Sequence, residues 1–258
     1  MTDADELEVE RRGLILVARL NRPEARNALT PGLIRSLGAA MIEAESDAGI
    51  RAVVLTGTGD RAFCAGMDLR SFAGGEMAIG EGDAATAFHR FLRGEVAVPV
   101  IGAANGTAVA GGLELLLGCD VIVAASTAAF GLPEVKRGLF PAGYGTFLGT
   151  RIPLGVALEM ILTGESIDAA RALSVGLVNA VVSPDEVLPA ALGYAERMAA
   201  NGPLGVAAAK ELTRLAVSDA GRATDRLHHW QEVVFASEDA REGAMAFVEK
   251  RAPVWRGR

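Results

Sequence analysis

Three glycine-rich stretches hold the residues whose types and spacing can do chemistry. "NGTAVAGGLELLLGCD" (105–120) carries one carboxylate, Glu114, just after Gly111 and Gly112 in an otherwise small and apolar run. "AFGLPEVKRGLFPAGYGT" (129–146) carries a second, Glu134, directly after Pro133. Two glutamates in separate glycine-rich loops are a candidate acid/base pair, one giving a proton while the other takes one. "GTGDRAFCAGMDL" (57–69) places Gly66 before Met67, so that a turn at the glycine can aim the Met67 N–H into a cleft. With a second unpaired N–H near Gly111, at a helix N-terminus, this makes a candidate oxyanion hole.

Each feature has a plainer reading. Glu114 falls in the first turn of a short helix, where the dipole favours a carboxylate without any catalysis. Pro133-Glu134 can simply start an exposed helix. "GTGDRA" (57–62) matches a G-x-G-x-x-A dinucleotide pattern after a strand and opens an oxidoreductase reading. Asp60 would then face a pyrophosphate, which argues for an ordinary turn. Cys64 has no accompanying histidine motif and reads as a small packing residue.

The elements that must position these loops alternate. Apolar runs at 13–22, 52–59, 98–106 and 119–126 read as strands ended by turn residues. Residues 30–46, opening with Thr30 and Pro31, read as a helix, as do 84–95 and 111–118. Strands alternating with helices predict an α/β core. Beyond about residue 150 the pattern is mainly helical, interrupted by an apolar run at 177–183. We divide the chain into a core over 1–195 and a helical region over 196–258.

Bulk properties narrow the partners. The 258 residues are 50% hydrophobic and 22% charged, with a net charge of −7. An acidic surface argues against nucleic acid or anionic membrane as the main partner, but not against an anionic small ligand held by a local basic patch. Two cysteines, Cys64 and Cys119, and three histidines give neither a disulfide framework nor metal-ligand spacing. The acidic start lacks an apolar signal core, and no apolar run reaches membrane-spanning length free of glycine or charge. The expectation is a cytoplasmic protein without metal.

"NRPEARNAL" (21–29), "RAFCAGMDL" (61–69), 105–120, "FGLPEVKRGLFP" (130–141) and "REGAMAFVEKR" (241–251), in this order, resemble the enoyl-CoA hydratase/isomerase (crotonase) superfamily. The resemblance implies a spiral of βαβ units with a helical C-terminal trimerisation region, as a homotrimer or homohexamer. It implies an acyl-CoA substrate, with coenzyme A part of the substrate and no separate cofactor. The oxyanion-hole donors would be the Met67 and Gly111 N–H groups, Glu134 the main acid/base, and Glu114 the holder and activator of water. Having both glutamates favours enoyl-CoA hydration, a reversible syn-type addition of water, with a place in fatty acid metabolism. An isomerase, a carnitinyl-CoA dehydratase-like lyase, an acyl-CoA hydrolase and a CoA-binding protein without turnover are the alternatives.

Residues similar to the family's CoA contacts are Arg26, Ala28, Ala65, Met67, Leu69, Phe247 and Lys250, the last two sometimes reaching from a neighbouring subunit. Family members commonly carry "PGAGGT" where this chain has "PAGYGT". Ala142 would then supply an N–H to the water, and Tyr144 would narrow the acyl pocket or alter nearby packing.

Overall fold

The computed structural model describes residues 6–68 and 81–258. The chain runs β1 (Leu7–Arg12), β2 (Ile15–Leu20), α1 (Pro31–Ser46), β3 (Ala52–Gly57), β4 (Ala62–Cys64), α2 (Asp83–Leu92), β5 (Val100–Ala104), β6 (Thr107–Val109), α3 (Gly111–Gly118), β7 (Val121–Ala125) and β8 (Ala129–Gly131). It continues through α4 (Leu154–Thr163), β9 (Ile167–Asp168), α5 (Ala169–Ser174), β10 (Ala180–Val182) and α6 (Val187–Ala199). Three helices close the chain: α7 (Pro203–Ser218), α8 (Ala220–Ala236) and α9 (Glu238–Glu249).

Two sheets share the strands. The larger has the order β1-β2-β3-β5-β7-β10, parallel except for the β1–β2 hairpin. Its central strands are continuous runs of small and β-branched residues, and β3 and β5 are buried along their whole length. Such runs suit parallel strands covered on both faces. The smaller sheet has the order β4-β6-β8-β9. Each of β3, β5 and β7 is therefore followed, after a short turn, by a strand of the other sheet. This alternation repeats three times and gives a spiral of βαβ-like turns.

Local chemistry sets the helix starts. Thr30 caps α1 by accepting the Leu33 N–H at 3.0 Å, with Pro31 at the first helical position. The apolar stripe of α1, including Leu33, Leu37, Ala40 and Met41, lies wholly in the core. Helix α6 buries Val187, Ala191 and Ala195 in the same core and packs on β3 and β5. Residue 195 thus lies inside α6. Helix α7 is tied back by a buried ion pair: Lys210, with an 8% exposed side chain, donates to Asp120 Oδ2 at 2.7 Å and to Val98 O at 2.9 Å.

The four apolar runs form strands shorter than the sequence suggests, because their ends are turns. Strands β4, β6 and β8, of three residues each, escape the periodicity argument altogether. No helix among the described residues is long and apolar enough to cross a membrane.

Candidate active site

The three short strands missed in the sequence position the chemistry. β4, β6 and β8 run parallel and adjacent, with Cys64 opposite Ala108 and Val109 opposite Gly131. Their C-terminal ends therefore open on one edge of the smaller sheet. Ala65-Gly66-Met67, Ala110-Gly111 and Leu132-Pro133-Glu134 leave from that edge. Residues up to 69 apart in sequence, from Ala65 to Glu134, come together because the same topological step repeats.

Backbone conformation then aims two N–H groups. Gly66 has φ +89°, where a Cβ would lie 2.7 Å from Ala110 Cβ and 3.2 Å from the Gly111 nitrogen. Residues 28–29 pair with this segment: Leu29 N–H donates to Gly66 O at 2.8 Å and Asp68 N–H to Leu29 O at 2.9 Å. In this parallel bridge the flanking groups of Met67 make the bonds, so Met67's own N–H points away from the Leu29 strand. Ala110 sits at φ 53°, ψ −130°, a strained conformation for a residue with a side chain. It turns the chain so that Gly111 opens α3, where the first N–H has no intrahelical acceptor. A Cβ on Gly111 would lie only 3.7 Å from the Met67 nitrogen, so the two donors are neighbours. With the positive end of α3 behind them, they suit a developing oxyanion.

Glu114, one turn into α3, is 7% exposed. Its Oε1 accepts the Gly145 N–H at 2.8 Å, and the nearby Gly143 N–H also favours the charged carboxylate. Both glycines are required by closeness: a Cβ on Gly143 would come within 2.3 Å of Glu114 Oε2, and one on Gly145 within 2.9 Å of Oε1. Burial pushes the Glu114 carboxyl up to about 7, against the two N–H groups, and the nearby Glu134 adds to the rise. Glu134 sits in the 3₁₀ turn Pro133–Arg137, half-buried, with its carboxyl also raised by burial. Its Oε2 is buried with no hydrogen-bond partner among the described residues. A buried carboxylate oxygen without a partner is costly unless a ligand meets it. Two carboxyls both raised by burial, with the charge of Glu134 felt at Glu114, can divide the roles of acid and base between them. Glu114 is thus a buried, positioned carboxylate and not a solvated helix-cap residue.

Wider similarity agrees with this geometry. The family model described as Enoyl-CoA hydratase/isomerase matches residues 10–258. The chain belongs to this family. It is 38% identical, over 99% of its length and 100% of the relative's, to carnitinyl-CoA dehydratase of Salmonella typhi. The crystal structure of enoyl-CoA hydratase from Mycobacterium tuberculosis H37Rv superposes with a TM-score of 0.88 at 42% identity, covering 98% of this chain and 100% of that one. Carnitinyl-CoA hydratase from Mycobacterium avium gives a TM-score of 0.76 at 40% identity, covering 98% and 99%. This member of the enoyl-CoA hydratase/isomerase family is an enzyme of the hydro-lyase type with the crotonase fold.

The dinucleotide reading of "GTGDRA" is corrected by the fold. After β3 the chain turns at Gly59, φ +87°, and enters β4 instead of a helix. Amide side chains fill the turn: Asn27 Nδ2 donates to Thr58 O at 3.0 Å and Asn105 Nδ2 to Gly59 O at 2.7 Å. No helix N-terminus is left there for a pyrophosphate.

In this family member, the residues carried over for CoA fall into two groups. Arg26, Ala28, Ala65 and Met67 lie together, because segments 26–29 and 65–68 are hydrogen-bonded to each other, Ala65 N–H donating to Arg26 O at 3.0 Å. Arg26 is exposed, in the left-handed region at φ 54°, and Ala28 is buried. Leu69 lies outside the described residues. Phe247 and Lys250 stand apart on the surface of α9, Phe247 being 85% exposed. Ala142 is exposed; the N–H groups that face Glu114 belong to Gly143 and Gly145.

Tyr144 packs on its neighbours. Its ring packs against Phe147 and His89 and lines a cleft of about 710 Å³ with Arg93, Asp120, Lys210 and Arg214. The left-handed turn at φ 74° carries the ring that way. Cys64 is fully buried, its thiol pushed up to about 12, in keeping with a packing role. Sequence reasoning missed Asn27 and Ala110, whose positive φ was the only local signal available, through an asparagine in one case and not at all in the other.

Burying Glu114 has a cost that stability measurements will show. Its folded value near 7 lies above the ordinary 4.5, so the native state binds a proton that the unfolded state releases across that interval. This contribution is complete below pH 4.5 and is lost as pH rises through about 7. Glu114→Gln is therefore expected to be more stable than the parent at pH 8, on the order of 1–3 kcal/mol. The advantage should vanish in acid, as followed by urea unfolding across pH.

Proposed function

We propose that the enzyme catalyses reversible addition of water to a 2-enoyl-CoA thioester. The observation that carries this reading is the Glu134 Oε2, without a partner among the described residues, on the same sheet edge as the buried Glu114 carboxylate and the Met67 and Gly111 N–H groups. The thioester oxygen accepts from the two N–H groups, which stabilises charge as the double bond polarises. Glu114, ionised and held by Gly143 and Gly145, orients a water and takes its proton as the oxygen bonds to Cβ. Glu134, protonated, delivers a proton to Cα from the same side. The proton gained by Glu114 and the one lost by Glu134 are then exchanged between the pair, which resets the site. Dehydration runs the same steps backwards.

A second reading, dehydration of a carnitinyl-CoA, is favoured by the names of the full-length relatives. It uses the same residues and differs only in the acyl group. Arg26, Ala28, Ala65, Met67 and Leu69 are proposed to line the CoA groove, with no separate cofactor. Phe247 and Lys250 are proposed to reach CoA from a neighbouring copy in a trimer or hexamer, which would also cover exposed Phe235 and Val248.

The test is loss of the enone-thioester absorbance without added nicotinamide, using crotonyl-CoA, longer 2-enoyl-CoAs and the dehydration product of carnitinyl-CoA. Turnover of any of these at more than a trace rate is expected. The substrate with the highest kcat/KM decides between the two readings, and formation of only a shifted double bond overturns both.

A further inference from the structure

Tyr144 occupies a backbone conformation that a glycine adopts freely and a tyrosine adopts under strain, φ 74°, ψ 11°. It stands between Gly145, whose N–H bonds Glu114 Oε1 at 2.8 Å, and Gly143, whose N–H also favours the charged carboxylate. Something outside the turn must keep it there, and the ring supplies the handle. The phenolic oxygen accepts from Arg93 Nη1 at 3.1 Å, and the guanidinium carbon also lies 5.8 Å from the ring centroid. Arg93 is fixed in turn: it closes the C-terminal end of α2, and its Nη2 donates to Glu95 Oε2 at 2.7 Å. The ring is flanked by Phe147 at 5.6 Å and His89 at 6.4 Å between centroids.

We infer that Arg93 is a positioning residue: through the Tyr144 phenol it holds the left-handed turn that keeps the Gly143 and Gly145 N–H groups on the Glu114 carboxylate. The inference rests on the reading of Glu114 as the residue that activates water. Arg93 itself touches no reacting atom. It acts by fixing the spacing of two backbone donors, which neither donor can fix alone because both belong to glycines.

The experiment is a double-mutant cycle in the full-length enzyme, with Arg93→Ala, Tyr144→Phe and the pair, assayed for hydration of crotonyl-CoA or whichever thioester turns over best. Each single change is expected to lower kcat roughly threefold to tenfold with KM little altered, and the pair no more than either alone. The acid limb of kcat against pH should move upward in each, because loosened N–H bonds no longer favour the charged carboxylate. The groups facing Glu114 are the two glycine amides and Glu134, so a limb belonging to Glu134 is identified separately with Glu134→Gln. Arg93→Lys should recover part of the loss. Additive losses, or an unmoved pH limb, would overturn the inference; if Arg93→Ala does not fold, Tyr144→Phe alone must still shift the limb. Glu114→Gln separates the two levels. If it abolishes turnover while the cycle is additive, only the role of Arg93 fails; if it leaves turnover intact, the assignment of Glu114 fails with it.

Discussion

Replacing Glu134 with glutamine is expected to lower kcat for hydration roughly 10²- to 10⁴-fold, and Glu114→Gln to do the same, with small changes in KM. The reason is that each carboxyl has a separate proton to move. Glutamine keeps the size and one acceptor oxygen but can neither release nor take a proton at neutral pH. Glu134 Oε2 faces no partner among the described residues, so its substitution removes a group free to meet a ligand. Glu114 is held by two N–H groups and buried, so its substitution leaves the fold in place while removing the base. An intact thermal transition in both variants would show that the loss is chemical. If only Glu134→Gln is inactive, the reaction needs one carboxylate, and proton transfer without water becomes the better reading.

Gly66→Ala is the second large effect. The left-handed φ of +89° strains any side chain, and the new Cβ would lie 2.7 Å from Ala110 Cβ, closer than carbon atoms pack. Relief requires movement of the Gly66–Met67 segment or of the Ala110–Gly111 turn, and each carries one oxyanion donor. Loss of one such donor corresponds to roughly 10²- to 10³-fold in kcat, or about 3–4 kcal/mol. Steady-state kinetics check this directly, with binding of a saturated acyl-CoA as the companion measurement. Near-parental kcat in Gly66→Ala would remove the Met67 and Gly111 N–H groups from the mechanism.

Much of this site was legible in the residues. Glu114 and Glu134 stood out because a carboxylate in a small, apolar, glycine-rich setting demands a reason, and Gly66 marked a turn before Met67. The α/β class followed from strands alternating with helices, and the spiral from the resemblance of the ordered motifs. What the sequence could not carry was the smaller sheet. Strands of three residues, such as Thr107–Val109, have too few positions to show an alternating pattern, yet they bring the three loops to one edge. The glycine N–H groups that face Glu114, at 143 and 145, were not anticipated, because a hydrogen-bonding direction depends on backbone torsions that residue types do not reveal. The direction of the Tyr144 ring was open in the sequence for the same reason, since a left-handed tyrosine is not anticipated from propensity.

The central claim is that Glu114 and Glu134 add the elements of water to an acyl-CoA double bond, and one measurement addresses it most directly. The enzyme is incubated with crotonyl-CoA, or the best enoyl thioester of the panel, in water labelled with heavy oxygen, and the product is weighed by mass spectrometry. The account predicts a hydroxyacyl-CoA carrying one labelled oxygen at Cβ, formed by the parent and almost entirely lost in Glu114→Gln and Glu134→Gln. An unlabelled product with a displaced double bond, or label found only in a free acid released from CoA, would contradict it.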